Sequence, residues 1–236
     1  MRIEQLTNEV LNLSNTTQTI QIAIDGPAGA GKSSVAKVLS KRLGCIYLDT
    51  GAMYRAVTWA AMGQNIDFDD TEAMQQLLDT LELEFREEDG VQHLYCNGTD
   101  VTEAIRTPEI SANVSAVSMI PAVRESMTDK QRRIAEGHDV LMDGRDIGTT
   151  VLPNAQYKFF LTASLAERAR RRGLELEQKG QIVDYAQLER DIALRDEKDS
   201  KREVSPLKMA EDAELIDTSD LSFDEVVDLL YHKIIK

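Results

Sequence analysis

The sequence predicts an α/β fold in which a parallel sheet is flanked by helices. One observation is an apolar, β-branched strand through Ile20, Ile22 and Ile24, followed by a glycine-rich loop and a helix that ends at Gly44. A second is that the same order of strand and then helix recurs along the chain, which is typical of parallel α/β sheets. With 236 residues, 42% of them apolar, the chain is long enough for one large domain with a smaller inserted lobe.

The glycine-rich loop has the spacing Gly-x-x-x-x-Gly-Lys-Ser, which is a P-loop. Its backbone N–H groups can surround phosphate oxygens, Lys32 can reach the β and γ phosphates, and the Ser33 hydroxyl can ligate Mg²⁺. The helix that follows points its positive end at the same anion. An ordinary glycine-rich turn is disfavoured by the strand and helix on either side. The residues predicted to bind the triphosphate are Gly26, Pro27, Ala28, Gly29, Ala30, Gly31, Lys32, Ser33 and Ser34.

A second strand, residues 45–49, leads directly into another helix. Because the carboxyl ends of parallel strands line one crevice, Asp49, Thr50, Tyr54 and Arg55 are expected to face the same space as the P-loop. The alternative for Thr50 is that it merely caps the helix.

Residues 67–106 have a different pattern, which predicts a small inserted lobe. A helical segment, 73–81, is followed by two segments of alternating polarity, 81–85 and 91–96, with an Asp-Gly turn signal between them. These segments predict an antiparallel hairpin. His93 lies within it without nearby metal-ligand partners, so it is interpreted as a sheet residue.

A fourth feature is an apolar strand, residues 140–143, that ends in Asp143 and continues as Gly-Arg-Asp. Two helices precede it, one capped at Thr107 and one opened by Pro121. A strand that ends in Asp is typical of a Walker B element, whose carboxylate orders Mg²⁺. The alternative is a loop carboxylate without a metal role.

The last third of the chain carries arginines at helical spacing after a strand at 157–162. Arg168, Arg171 and Arg172 are three and four residues apart, so one helix face could close over a triphosphate, although such a run is usually a solvated face. On the next helix, 185–201, Arg195 and Asp199 project to one side together with Arg202, and a surface ion pair explains the first two equally well. A final strand, 213–217, precedes a helix that is capped at Ser222.

Composition excludes several classes of function. The 27 basic and 41 acidic residues give a net charge of −14, which argues against binding to nucleic acid or to an anionic membrane. Two cysteines without a C-x-x-C pair fit a reducing cytoplasm. No run of 18 apolar residues occurs, and residues 1–19 lack the pattern of a signal peptide, so they are interpreted as an N-terminal extension.

The chain resembles the bacterial cytidylate kinases in four motifs that occur in the same order: I-D-G-P-A-G-A-G-K-S-S, D-T-G-A-M-Y-R, M-D-G-R-D-I-G-T and R-D-x-x-D-x-x-R. The first is shared by many P-loop kinases, whereas the second and third are specific to this family. The resemblance implies a P-loop kinase fold over residues 20–236 with a five-stranded parallel sheet. It also implies an inserted monophosphate-binding lobe at about 51–137, which fits the hairpin, and a short lid at about 168–182.

The resemblance further implies transfer of the γ-phosphoryl group of ATP to CMP or dCMP with Mg²⁺, and we expect the enzyme to be a monomer. Position by position, Thr50, Arg124 and Asp146 match residues that read cytosine. Arg55, Arg145 and Arg202 match residues that bind the acceptor phosphate, and Arg195 and Asp199 match residues at the ribose. Tyr54 is placed with the substrate residues, and Ser33 and Asp143 with the metal. The expected catalytic residues are Lys32, Arg145, Arg168, Arg171 and Arg172. A GTPase is disfavoured because the chain lacks Asn-Lys-x-Asp, while another small-molecule kinase stays an alternative.

Overall fold

The computed structural model describes residues 19–89, 91–178 and 180–235, so nearly all of the predicted N-terminal extension lies outside the described residues. Its largest element is a five-stranded parallel sheet, as the sequence predicts. In chain order the strands are β1 (Gln21–Asp25), β2 (Ile46–Asp49), β6 (Val140–Gly144), β7 (Tyr157–Thr162) and β8 (Glu214–Asp217). Their spatial order is β2-β6-β1-β7-β8, which places the strand before the P-loop at the centre.

The two faces of β1 belong to two separate apolar cores, because successive side chains of a strand point to opposite faces. Ile22 and Ile24 pack with α1 (Lys32–Leu43) and α8 (Phe223–Ile234). Ala23 packs on the other side with α2 (Thr50–Gly63) and the helices of the insert. Helices therefore cover both faces of the sheet, which explains the continuous apolar run of the central strands.

The insert contains the predicted hairpin, β3 (Leu83–Glu88) with β4 (Val91–Cys96), in antiparallel register. A third strand, β5 (Thr99–Asp100), pairs with β4 and was not predicted. His93 lies in β4, where its Nδ1 is 2.9 Å from Oδ2 of Asp100. The helices of this region are α3 (Thr71–Thr80), α4 (Pro108–Val117) and α5 (Pro121–Ala135), with a 3₁₀ turn at Ala104–Arg106.

Two long helices, α6 (Leu165–Gln178) and α7 (Tyr185–Lys201), follow β7 and precede β8 along the chain, and they pack against each other. α7 has the bounds that the sequence predicts, and it begins where the Asp184 side chain accepts the Gln187 N–H. A π-helical turn, Ile147–Val151, follows β6. In the described part of the chain, every helix is too short or too polar to cross a bilayer.

Candidate active site

The shape of the P-loop depends on glycines in conformations that other residues rarely adopt. Gly26 has φ 145°, and a Cβ at this position would lie 1.9 Å from the backbone oxygen of Leu161 in β7. Gly31, at φ 83°, leads the chain into α1. Only glycine therefore allows the loop to pass so close to the neighbouring strand.

Lys32 is buried at the start of α1, and its Nζ donates to the Pro27 carbonyl oxygen at 2.7 Å. Burial and the nearby charge of Arg145 lower the pKa of Lys32 well below its ordinary value. A buried ammonium that is bonded to only a neutral carbonyl is well suited to an anionic ligand.

Ser33 and Asp143 meet beside this lysine. The Ser33 hydroxyl donates to Asp143 Oδ2 at 2.7 Å, and the Tyr47 hydroxyl donates to the other carboxylate oxygen at 2.8 Å. Burial, assisted by the charge of Asp49, raises the pKa of Asp143 to about 6. Thr50 is close by, with its hydroxyl donating to the Asp143 backbone oxygen at 2.6 Å.

This donor set fits Mg²⁺, which prefers oxygen ligands and is usually held by one or two protein groups together with substrate phosphates and water. Ser33 and Asp143 would hold it. Within the described ranges, no group of three or more His, Cys, Asp or Glu side chains forms a cage, so phosphate and water oxygens would complete the coordination.

A buried ion-pair cluster lies just beyond β6. Arg124 of α5 and Asp146 are 2% and 4% exposed, and their Nη2 and Oδ2 atoms are 2.5 Å apart. Arg202 approaches the other Asp146 oxygen at 3.3 Å, while the Arg124 guanidinium lies 5.3 Å from the centre of the Tyr54 ring. Arg124 Nε has no hydrogen-bond partner among the described residues, so a donor is left for a ligand.

Next to this cluster, several cations are gathered with few counter-charges. Arg145 Nε donates to Asp199 Oδ2 at 3.0 Å. Burial, and then the charge of Arg145, lowers the pKa of Arg195 to about 10. Burial also lowers the pKa of Arg55, whose neighbours include Arg145. Within a chain of net charge −14, such a cluster indicates an anion site.

The three arginines of the predicted lid face different partners. Arg168 is buried, and its guanidinium donates to the Ala163 and Ala28 carbonyl oxygens and to Asp196. Arg171 donates to Thr218 Oγ1 at 3.0 Å and also to Glu167. Arg172 forms an ion pair with Glu175 at the surface. Their action on a transferred phosphoryl group stays a prediction, as do the bounds of the lid.

Three residues of this region were not assigned from the sequence. Asp25 accepts the N–H groups of Ile147 and Gly148 at 2.8 and 2.7 Å, and so fixes the turn after Asp146. Gln131 lies two helical turns after Arg124, is buried, and faces the Tyr54 hydroxyl. Asp196 stands inside the R-D-x-x-D-x-x-R motif. The spacing of seven residues on α5 could have indicated Gln131, but the contacts of Asp25 and Asp196 arise from tertiary structure.

A family model described as cytidylate kinase matches residues 22–236. The chain belongs to the cytidylate kinase family. Members of this family include the cytidylate kinase of Lactobacillus gasseri, to which the chain is 56% identical over 208 residues, covering 88% of this chain and 90% of the relative. The cytidylate kinase of Caldanaerobacter subterraneus subsp. tengcongensis is 54% identical over 218 residues, or 92% and 96% of the two chains.

A crystal structure of an uncharacterized protein from Eubacterium ventriosum has the same fold, with a TM-score of 0.52. The alignment covers 92% of this chain and 99% of that protein at 14% sequence identity, so the likeness concerns the fold alone. The family model and the two relatives confirm the resemblance that the four motifs indicate.

Proposed function

We propose that this chain transfers the γ-phosphoryl group of ATP to CMP or dCMP and releases ADP and the pyrimidine diphosphate. The observation that carries the proposal is the buried Arg124–Asp146 pair close to a P-loop, in a chain of the cytidylate kinase family. The pair offers a carboxylate and a guanidinium side by side, which is the donor and acceptor pattern that a cytosine edge requires.

The ATP phosphates are held by the loop amides from Gly29 to Ser33 and by Lys32, whose charge faces the β and γ phosphates. Arg55, Arg145 and Arg202 hold the acceptor phosphate, and Arg195 with Asp199 holds the ribose. Mg²⁺, which the oxygen donors of Ser33 and Asp143 fit, supplies further neutralisation of phosphate charge when it is bound.

With both phosphates held in line, an oxygen of the acceptor phosphate forms a bond to the γ phosphorus while the bond to the β–γ bridging oxygen breaks. The protein needs to supply position and positive charge, and it forms no covalent intermediate. Lys32 and Arg145 stabilise the charge that develops, and closure of the lid over the phosphates excludes water.

Base choice follows from the hydrogen-bonding edge. Cytosine presents an amino donor beside its ring nitrogen and keto acceptors, so Asp146 accepts from the amino group while Arg124 donates to the acceptors, and the Thr50 oxygen is a further acceptor for the amino group. Uracil would turn a keto oxygen toward the Asp146 carboxylate, so that two hydrogen-bond acceptors would face each other without a proton between them. Sites of this kind reject the wrong analogue by roughly 10⁴-fold.

The test is an acceptor screen with Mg²⁺ and ATP, in which ADP release is measured with CMP, dCMP, UMP, AMP, GMP and shikimate. We expect turnover with CMP and dCMP and very little with UMP. Asp146→Asn should lower kcat/KM for CMP and narrow the ratio of CMP to UMP, because an amide can turn its donor toward a keto oxygen. A different preferred acceptor would refute the proposal, and an unchanged ratio would show that Asp146 does not read the base.

The metal, assembly and compartment belong to the same proposal. Mg²⁺ is favoured by the hard oxygen donors of Ser33 and Asp143. The enzyme is expected to act as a monomer, and a cytoplasmic location is supported by two cysteines that are both unpaired. Size-exclusion chromatography with light scattering tests the monomer, and replacement of Mg²⁺ by Ca²⁺ should abolish turnover.

A further inference from the structure

The peptide backbone of Ala28, in the first half of the P-loop, is held on both sides by one ion pair. Asp196 Oδ1 accepts the Ala28 N–H at 3.0 Å, and Arg168 Nη1 donates to the Ala28 carbonyl oxygen at 2.9 Å. Arg168 and Asp196 also bond directly to each other. One side chain comes from α6 and the other from α7, 28 residues further along the chain.

This arrangement differs from the surface ion pairs of the same helices. The Arg168 side chain is 9% exposed and that of Asp196 is 18% exposed, whereas both partners of the Glu197–Lys201 pair on α7 are more than half exposed. A buried guanidinium with three acceptors in fixed directions is well ordered. We call Ala28, Arg168 and Asp196 the loop clamp.

Apolar contacts also hold the loop clamp in place. Ala28 forms a small core of its own with Ala169 of α6 and Ile192 of α7, separate from the two cores of the sheet. Gly29 lies so close to α6 that a Cβ there would be 3.2 Å from the Arg168 Cβ. Ala28 and Gly29 of the P-loop therefore pack against α6 and α7, while Gly26 packs against β7.

The hydrogen bonds divide the loop into two parts. The Ala28 N–H is already bonded to a carboxylate, so the amides that follow it are the ones left for the anion. The N–H groups of these amides must point at a common centre to bind phosphate. A rotation of the peptide plane that precedes them would change the directions of all of them. The peptide before Gly29 is the one that the loop clamp fixes.

We propose that Asp196 is a positioning residue for the ATP-binding loop and that it acts together with Arg168 through the Ala28 backbone. The inference rests on the proposed kinase function and extends it to a residue of the R-D-x-x-D-x-x-R motif that has no role at the acceptor. It follows that the start of α6 and the second half of α7 are held against the P-loop. It also gives Arg168 a place in ATP binding that differs from contact with the transferred phosphoryl group.

The first test measures steady-state kinetics of Asp196→Ala and its neighbour Glu197→Ala. Loss of the clamp should raise KM for ATP roughly 10- to 100-fold, since a displacement of about 1 Å can cost 10²-fold, and should change KM for CMP less than about twofold. Asp196→Asn retains an oxygen for the Ala28 N–H and should fall between wild type and Asp196→Ala. Glu197→Ala, which removes an exposed pair on the same helix, should behave as wild type.

The second test measures equilibrium affinity for a fluorescent ATP analogue without any acceptor, alongside thermal melting. This separates the inference from the choice of acceptor, because a weakened ATP analogue supports the clamp even if CMP proves not to be the substrate. Equal losses of affinity for ATP and CMP that scale with a lower Tm would overturn it, and so would an unchanged KM for ATP in folded Asp196→Ala.

A double-mutant cycle then tests the partnership. If Arg168 acts through Ala28, combining Arg168→Met with Asp196→Ala should weaken ATP binding by little more than the larger single change. If Arg168 instead contacts the transferred phosphoryl group, Arg168→Met should lower kcat further in the Asp196→Ala background. That second outcome would contradict the clamp.

Discussion

Lys32 carries the positive charge of the P-loop. Its ammonium is buried and donates to the Pro27 oxygen, so no protein carboxylate is in direct contact with it. Lys32→Ala should therefore remove charge from the transferring phosphate while it leaves the fold intact, with a loss of kcat/KM on the order of 10³-fold. Circular dichroism and kinetics check this together. Lys37→Ala, on the exposed side of α1, serves as control, and near-normal turnover of folded Lys32→Ala would contradict the assignment.

Asp25 makes a pH-dependent contribution to stability. Burial raises its pKa from 3.8 to about 6 against two backbone N–H donors, so between these values the folded chain binds more protons than the unfolded chain. Its contribution to the free energy of unfolding therefore falls as pH rises from about 4 to 6, by at most about 3 kcal/mol, and is constant above that.

Urea unfolding of wild type and Asp25→Asn at several pH values between 4.5 and 7 measures this contribution. Because asparagine does not titrate, the stability of wild type relative to the variant should decline with rising pH. A difference that is the same at every pH would show that Asp25 titrates normally in the fold.

Sequence reasoning reached these residues unevenly. Lys32, Ser33 and Asp143 were predicted from local motifs, because each motif puts these residue types at a fixed position after its own strand. Asp146 and Arg124 were assigned only through resemblance, since 22 residues separate two side chains that meet at 2.5 Å. The bond between Asp196 and Ala28 joins residues 168 apart, which no local pattern indicates.

At the scale of elements, α8 tests how much a helix cap contributes. Ser222 and Glu225 form a reciprocal capping box at its start. Ser222→Ala should lower the free energy of unfolding by about 1 kcal/mol, and Tm by roughly 2–4 °C, without a change in kcat. Thermal melting checks the value, and Ser222→Thr should restore most of it. A change in kinetics would mean that α8 influences the site in a way its position does not explain.

Elements with a clear local sequence pattern were predicted well. Very short elements, and elements held by residues far away in the sequence, were not predicted. The five strands of the parallel sheet follow from apolar runs, and α7 from the helical spacing of its side chains. β5 has only two residues, too few for any alternation to show. The π-helical turn at Ile147–Val151 depends on Asp25, 122 residues earlier, so its cause lies outside the segment.

At the scale of the whole molecule, the proposed acceptor site joins α2, α5, the end of β6 and the end of α7 through Tyr54, Arg124, Asp146 and Arg202. A ligand that bridges these parts should stabilise all of them together. At about 100 times its Kd, CMP should add roughly 2.7 kcal/mol and raise Tm by several degrees. Thermal melting with CMP and with UMP at equal concentration checks this, and equal shifts for the two would contradict base selection by Asp146.

The position of β1 at the centre of the sheet also determines when the protein first becomes able to bind a nucleotide. This strand is made early, but both of its neighbours, β6 and β7, lie more than 110 residues downstream. In the folded chain Gly26 lies against the Leu161 backbone, and the Ala28 N–H is bonded to Asp196. During synthesis and refolding, these contacts require closure of very long loops. ATP affinity should thus arise late and in one step, so that a nascent chain ending before α7 carries the complete P-loop sequence without the binding site.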